Sequence, residues 1–208
     1  MNTTPINTEA QIKNRLVVCI DNGHGKNTQG KCSPDRSLLE WQWTRQVALL
    51  LRDLLIKKGF DARLIVTEEK DISLSERCRR INAVSKTNTN TISVSIHINA
   101  AGSDMKWHES QGWSVFVSKN ASSKSKKLAE YMFDEAKDNG VKTRKPSPSQ
   151  KYWVKNLAIC RDTVCPAVLV ENFFMDNKED CEFLKSDNGK KTCAEIMLNG
   201  ILEYYCIK

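Results

Sequence analysis

The sequence predicts an α/β domain: a mostly parallel, twisted sheet of about six strands with helices on both faces. Three observations predict it. Apolar, β-branched runs that suit strands buried on both faces alternate with stretches of helical periodicity. No internal repeat or domain linker interrupts the 208 residues, of which 40% are hydrophobic, enough for one core. Three residues able to do chemistry fall at strand ends: His24 just past the first run, His97 at the end of a central run and Glu171 at the end of the last. In open α/β sheets that is where sites form.

Residues 1–14 read as a loose arm and 15–208 as the domain. Leu16–Asp21 is the first strand, followed by a loop over Asn22–Asp35 rich in Gly, Asn, Ser and Pro. Leu38–Lys58 is an amphipathic helix with Trp43, Val47, Leu50, Leu51, Leu54 and Leu55 at helical spacing and Gly59 just beyond its end. Phe60–Thr67 is a short strand. Ser73–Ser85 is a helix with Ser73 as N-cap and Glu76 completing a capping box. Thr91–Ile98 alternates strongly as a central strand. Ala100–Gln111 is a loop and Gly112–Ser118 a strand. Ser122–Asn139 is a third helix, and Lys142–Lys151 is a basic loop rich in Pro and Ser. Trp153–Arg161 reads as a short strand or extended segment, Ala167–Glu171 as the last core strand, and Cys193–Ile207 as a C-terminal helix packed on the sheet.

Composition narrows the function classes. No run approaches the roughly 20 apolar residues of a membrane helix. The formal net charge of +7 comes from dispersed basic residues, which read as solvated lysines with a weak attraction for anionic partners. No basic stripe interleaved with aromatics marks a nucleic-acid surface. Residues 1–14 show no secretory signal, although a trimmed leader would hide one. Eight cysteines without a C-x-x-C pair read as buried thiols from a reducing compartment, with Cys160 and Cys165 the only close pair.

The chain has three histidines, His24, His97 and His108. One strand-end histidine alone reads as structural. Two of them, one bracketed by Gly23 and Gly25, read as ligands, and zinc is the natural metal for imidazole. A carboxylate is a plausible third ligand. Glu40 stands at the start of the first helix, where the loop after His24 could return it, or where it could simply favour the helix N-terminus. Glu171 closes the apolar run Val168-Leu169-Val170, so its carboxylate leaves the core rather than a solvated face. It reads either as a general base or as a structural hydrogen-bonding partner of Asn172.

Five segments in order carry a resemblance: Ile-Asp-Asn-Gly-His-Gly at 20–25, Glu40, Leu-Ser-Glu-Arg at 74–77 with Asn82, Ser-Ile-His-Ile-Asn-Ala at 95–100, and Pro-Ala-Val-Leu-Val-Glu-Asn-Phe-Phe at 166–174. Over roughly Leu16–Tyr205 the chain resembles the zinc-dependent N-acetylmuramoyl-L-alanine amidases, the catalytic domain of bacterial cell-separation amidases and phage endolysins. The resemblance implies one zinc ion per chain on His24, Glu40 and His97, with Glu171 as catalytic acid/base. It implies structural roles for Arg77 and Asn82, and a substrate contact for Arg161. The implied substrate is peptidoglycan, cut between N-acetylmuramic acid and L-alanine.

The chain departs from the family pattern at Asn22, where Pro is usual, at Ile98, where Ala is usual, and at Asn172, where Gly is common. Asn22 is expected to loosen the turn before His24. The loops Ala101–Gln111 and Lys142–Lys151 are too short for the inserted plugging helix of some separation amidases. Trp107, Trp113 and Trp153 fall in or near rim loops, for substrate contact or, at Trp113, for packing. Rival readings are a zinc peptidase cutting within the stem peptide, a glycosidase using Glu40 and Glu171, and a non-catalytic wall-binding module. The expected protein is a monomer without membrane insertion. It acts on the cell wall, after either phage-type release from the cytoplasm or export on a trimmed signal.

Overall fold

The computed structural model describes residues 16–206, so the arm expected over 1–14 lies outside the described residues. Six strands form one sheet in the order β2-β1-β3-β6-β4-β5. The strands are β1 Val17–Asn22, β2 Asp61–Leu64, β3 Thr91–Asn99, β4 Ser114–Val117, β5 Trp153–Val154 and β6 Ala167–Phe174. The first three and β6 run parallel; β4 pairs antiparallel with β6 and carries β5 parallel to itself. The expected α/β sheet is therefore present, with a reversal of direction at β6.

Among the described residues six helices cover it: α1 Glu40–Lys57, α2 Leu74–Thr87, α3 Ser123–Asp138, α4 Ala158–Arg161, α5 Lys178–Lys185 and α6 Asp187–Tyr204. Alternate strand residues sort the core into two layers. Val18, Ile20, Val94, Ile96, Val168 and Val170 pack under α1, α3 and α6. Cys19, Ala167 and Leu169 pack under α2 and α4, against Cys78, Ile81 and Ile159. All six β1 residues are buried, and Val17–Ile20 among them reads as a continuous apolar run.

Local chemistry sets the helix ends. Ser73, Ser122 and Asn177 each accept hydrogen bonds from backbone N–H groups in the first turns of α2, α3 and α5. Glu76 does not close the expected box; its carboxylate pairs with Arg79 and Arg80. Gly59, at φ 87°, ends α1 as expected. Leu50 is corrected: the buried face of α1 carries Ala48 and Thr44 instead, and Leu50 is exposed.

The segment Trp153–Arg161 is also corrected. It is a two-residue strand followed by the one-turn helix α4. The C-terminal helix begins at Asp187, and α5 precedes it. All eight cysteines are free, so Cys160 and Cys165 are not bridged. Neither residues 101–111 nor 142–151 carry a helix.

Candidate metal centre and cleft at the strand ends

The chain leaves β1 through Gly23-His24-Gly25, and crowding explains both glycines. A Cβ on Gly23 would collide with the His97 ring, and one on Gly25 with the backbone of Lys70 and Asp71. His24 itself sits at φ 60°, a left-handed conformation that costs a residue with a Cβ. Three side chains hold it there. Thr44 Oγ1 donates to the Gly23 carbonyl at 3.0 Å. Arg45 Nη1 and Arg77 Nη2 each donate to the His24 carbonyl at 3.2 Å. Arg77 Nη1 also donates to the Asn22 carbonyl at 2.7 Å and pairs with buried Asp21 at 2.7 Å. The turn is tied from both flanking helices. Asn22 is 1% exposed, and neither of its amide atoms has a hydrogen-bond partner.

The loop after His24 folds back as expected. A bridge between Cys32 and Leu39 and the Glu40 N–H bond to the Lys31 carbonyl at 3.0 Å start α1 directly over the sheet end. Glu40 is buried. Its Oε1 accepts from the Ile98 N–H at 2.9 Å and lies 3.1 Å from His97 Nδ1. Its Oε2 lies 3.4 Å from His24 Nε2 and has no hydrogen-bond partner. The nitrogens of His24 and His97 and a Glu40 oxygen all fall within 4.8 Å of one another.

Electrostatics suit a cation here. Burial pushes the His24 imidazole down to about 4, against the pull of Glu40, which keeps it neutral and able to ligate. Burial would push the Glu40 carboxyl up, but the His97 hydrogen bond and charge hold it below its ordinary value. A buried carboxylate with an orphaned oxygen, facing two imidazoles, is a donor set that fits zinc. Ala in place of Gly23 should push the His97 ring aside and weaken zinc affinity by about 10–100-fold, the usual effect of disturbing a ligand's support. Competition with a chromophoric chelator would measure it.

Glu171 lies beside this centre, opposite His97 in the β3–β6 register. One residue further on the register slips: His97 pairs with Glu171 but Asn99 pairs with Phe174. The extra residue is a bulge, with Phe173 at φ 63°. Burial pushes the Glu171 carboxyl up to about 7, against the lowering pull of His97. Its Oε2 has no hydrogen-bond partner. Asn172 is not that partner; its amide donates to the His97 carbonyl at 3.0 Å and accepts from the Trp113 indole at 3.2 Å.

His24, Glu40, His97 and Glu171 line one cleft of about 810 Å³, closed along one side by the starts of α2 and α4. Arg161 does not line it. Its guanidinium pairs with Asp162 at 2.7 Å and donates to Asn156 at 2.8 Å. His108 is also elsewhere, 2.9 Å from Asp104. Asn82 ties α2 to the segment before β6 through the Asp162 carbonyl and the Val164 N–H. Trp113 is a core residue, fully buried. Arg45 was not picked out from the sequence, where it reads as one more charge on a helix.

The sequence pattern described as N-acetylmuramoyl-L-alanine amidase matches residues 18–203. Among curated proteins, the endolysin of Bacillus phage SPP1 is 26% identical over 194 residues, covering 92% of this chain and 67% of the endolysin. N-acetylmuramoyl-L-alanine amidase CwlM of Bacillus licheniformis is 28% identical over 192 residues, covering 89% of this chain and 67% of that protein. Among solved structures, the catalytic domain of the amidase CwlV from Bacillus (Paenibacillus) polymyxa var. colistinus is similar at a TM-score of 0.76 and 26% identity, covering 92% of this chain and 99% of that one.

Proposed function

The chain belongs to the N-acetylmuramoyl-L-alanine amidase family, and from that premise we propose that it is a zinc hydrolase of the cell wall. His24, Glu40 and His97 hold one zinc ion. Glu171 is the acid/base that cleaves the amide between N-acetylmuramic acid and L-alanine. The observation that carries this reading is the convergence of three ligand atoms within 4.8 Å at the sheet end, beside the Glu171 carboxylate, whose Oε2 has no hydrogen-bond partner.

Zinc bound there supplies Lewis acidity, lowering the pKa of water and polarising a carbonyl oxygen. The chain's own residues do the rest. Glu171 takes the proton from the attacking water and delivers it to the nitrogen of the departing alanine. A carboxyl group raised toward neutrality suits both transfers. His24 sits on a turn locked by Arg45, Arg77 and Thr44, and Glu40, His97 and Glu171 sit on helix and strand positions beside it, so little rearrangement precedes reaction. Among the described residues no helix is long and apolar enough to cross a membrane.

Two measurements test the proposal. Digested peptidoglycan should show new amino-terminal alanine. New reducing ends would instead identify a glycosidase, and new amino termini other than alanine a stem-peptide peptidase. A chelator should lower activity by at least about 100-fold, with added zinc restoring it. Full activity in chelator would remove the metal from the mechanism.

A further inference from the structure

We propose that a second pocket beside the cleft, with Ser114 in its floor and Arg144, Trp153 and Lys155 in its walls, binds a free carboxylate of the substrate's stem peptide. The identity of the ligand rests on the amidase reading. The pocket itself does not.

The pocket measures about 270 Å³ and shares Asn99 and Ala100 with the catalytic cleft. Ser114 stands opposite Glu171 in the β4–β6 register, so the two sites lie on adjoining strands. Ser114 is 1% exposed, and its Oγ has no hydrogen-bond partner. A buried hydroxyl without a partner costs free energy, and a polar ligand would offset that cost.

Two cations flank it. Arg144 lies with its Cζ 4.7 Å from the centre of the Phe174 ring, and the Lys155 ammonium lies 5.4 Å from that of Phe116. Both rings line the pocket. Neither cation forms an ion pair with a carboxylate among the described residues. Aromatic faces hold them in place while leaving their charge unneutralised. Trp153 stacks on Phe116 with centroids 6.2 Å apart and adds an apolar wall.

The loop that supplies Arg144 is fixed to the sheet. Trp113 N–H donates to the Lys142 carbonyl and Arg144 N–H to the Trp113 carbonyl, each at 2.8 Å. Gly112, at φ 102°, has no room for a Cβ against that Lys142 carbonyl.

A planar guanidinium, an ammonium and a hydroxyl around a small space suit a two-oxygen anion. In the substrate of the amidase reading, the lactyl carboxyl of the sugar is consumed in the scissile amide. The free carboxylates therefore lie along the peptide, on the departing side of the bond.

The test uses the zinc-loaded protein and two soluble muramoyl peptides, alike except that the carboxyl of the residue after alanine is free in one and amidated in the other. The wild type should show a KM about 10-fold lower for the free acid, with kcat alike within about twofold. The double variant Arg144→Gln/Lys155→Gln should lose that preference, its KM for the free acid rising to that for the amide, and Arg144→Lys should keep part of it. Equal KM values in the wild type, or an equal loss on both substrates in the double variant, would overturn the proposal. Calorimetric binding of the corresponding free alanyl peptides, acid against amide, reads the pocket without turnover. A digest without new amino-terminal alanine would defeat the amidase reading. The pocket would still fall if the two peptides bound equally, and would stand if the acid bound about 10-fold tighter.

Discussion

Glu171→Gln should lower kcat by about 10²–10⁴-fold, the contribution of one positioned proton-transfer group, while zinc stays bound at one ion per chain. Gln has nearly the same shape and can still donate and accept hydrogen bonds, but it cannot take up the water's proton. The residue pairs with Ser114 on one side and His97 on the other, and it is not among the three converging ligand residues. Metal content should therefore be unchanged. Stability should hold or rise slightly, because the change removes a buried carboxyl that burial already pushes up to about 7. Steady-state rates on a soluble muramoyl peptide, with metal analysis on the same sample, check both halves. Turnover within about tenfold of the wild type would mean that another group carries the proton.

The second large effect concerns Arg77. Arg77→Met should destabilise the fold by about 3–5 kcal/mol, the cost of removing one partner from a buried ion pair. Arg77 is 2% exposed and Asp21 1%. Without the guanidinium, Asp21 keeps only the Ser95 hydroxyl at 2.5 Å, and the carbonyls of Asn22, His24 and Ile72 each lose a donor. The deficit belongs to the stranded charge, so the double variant Arg77→Met/Asp21→Asn should recover a good part of it. Urea unfolding of the wild type and both variants measures the cycle. A loss under about 1 kcal/mol for Arg77→Met would place the pair among weak surface bridges.

Much of this molecule was legible from its amino acids because the informative residues are local. A parallel strand covered on both faces is mostly apolar, and β1 is from Val17 to Ile20. A helix that packs on a sheet repeats its apolar positions, and α1 and α3 do so. The strand-end histidines and Glu171 stood out because a polar residue closing an apolar run has few other reasons to be there. What escaped reading depended on distant partners. The antiparallel direction of β4 is set by a pairing with β6 across more than fifty residues. The helices α4 and α5 are too short for a periodic signal. Arg45 and Thr44 sit on a helix with ordinary spacing, and only the folded turn shows that they hold carbonyls of Gly23 and His24. Leu50 misled because its position next to Leu51 satisfied hydrophobicity without satisfying the helix face.

The reversal at β6 has a consequence for how such an enzyme can diversify. Because β4 and β5 run against β6, the segments that enter them, 100–113 and 139–152, reach the same end of the sheet as the segments that leave β1, β3 and β6. The connection that leaves β1 carries His24 and leads into Glu40 at the start of α1. The connection that enters β5 carries Arg144 and the approach to Trp153. An insertion or exchange in 139–152 can therefore recut what the rim admits while the strand registers beneath His24, Glu40 and His97 stay as they are. Innovation in wall preference and conservation of chemistry fall to different stretches of one chain.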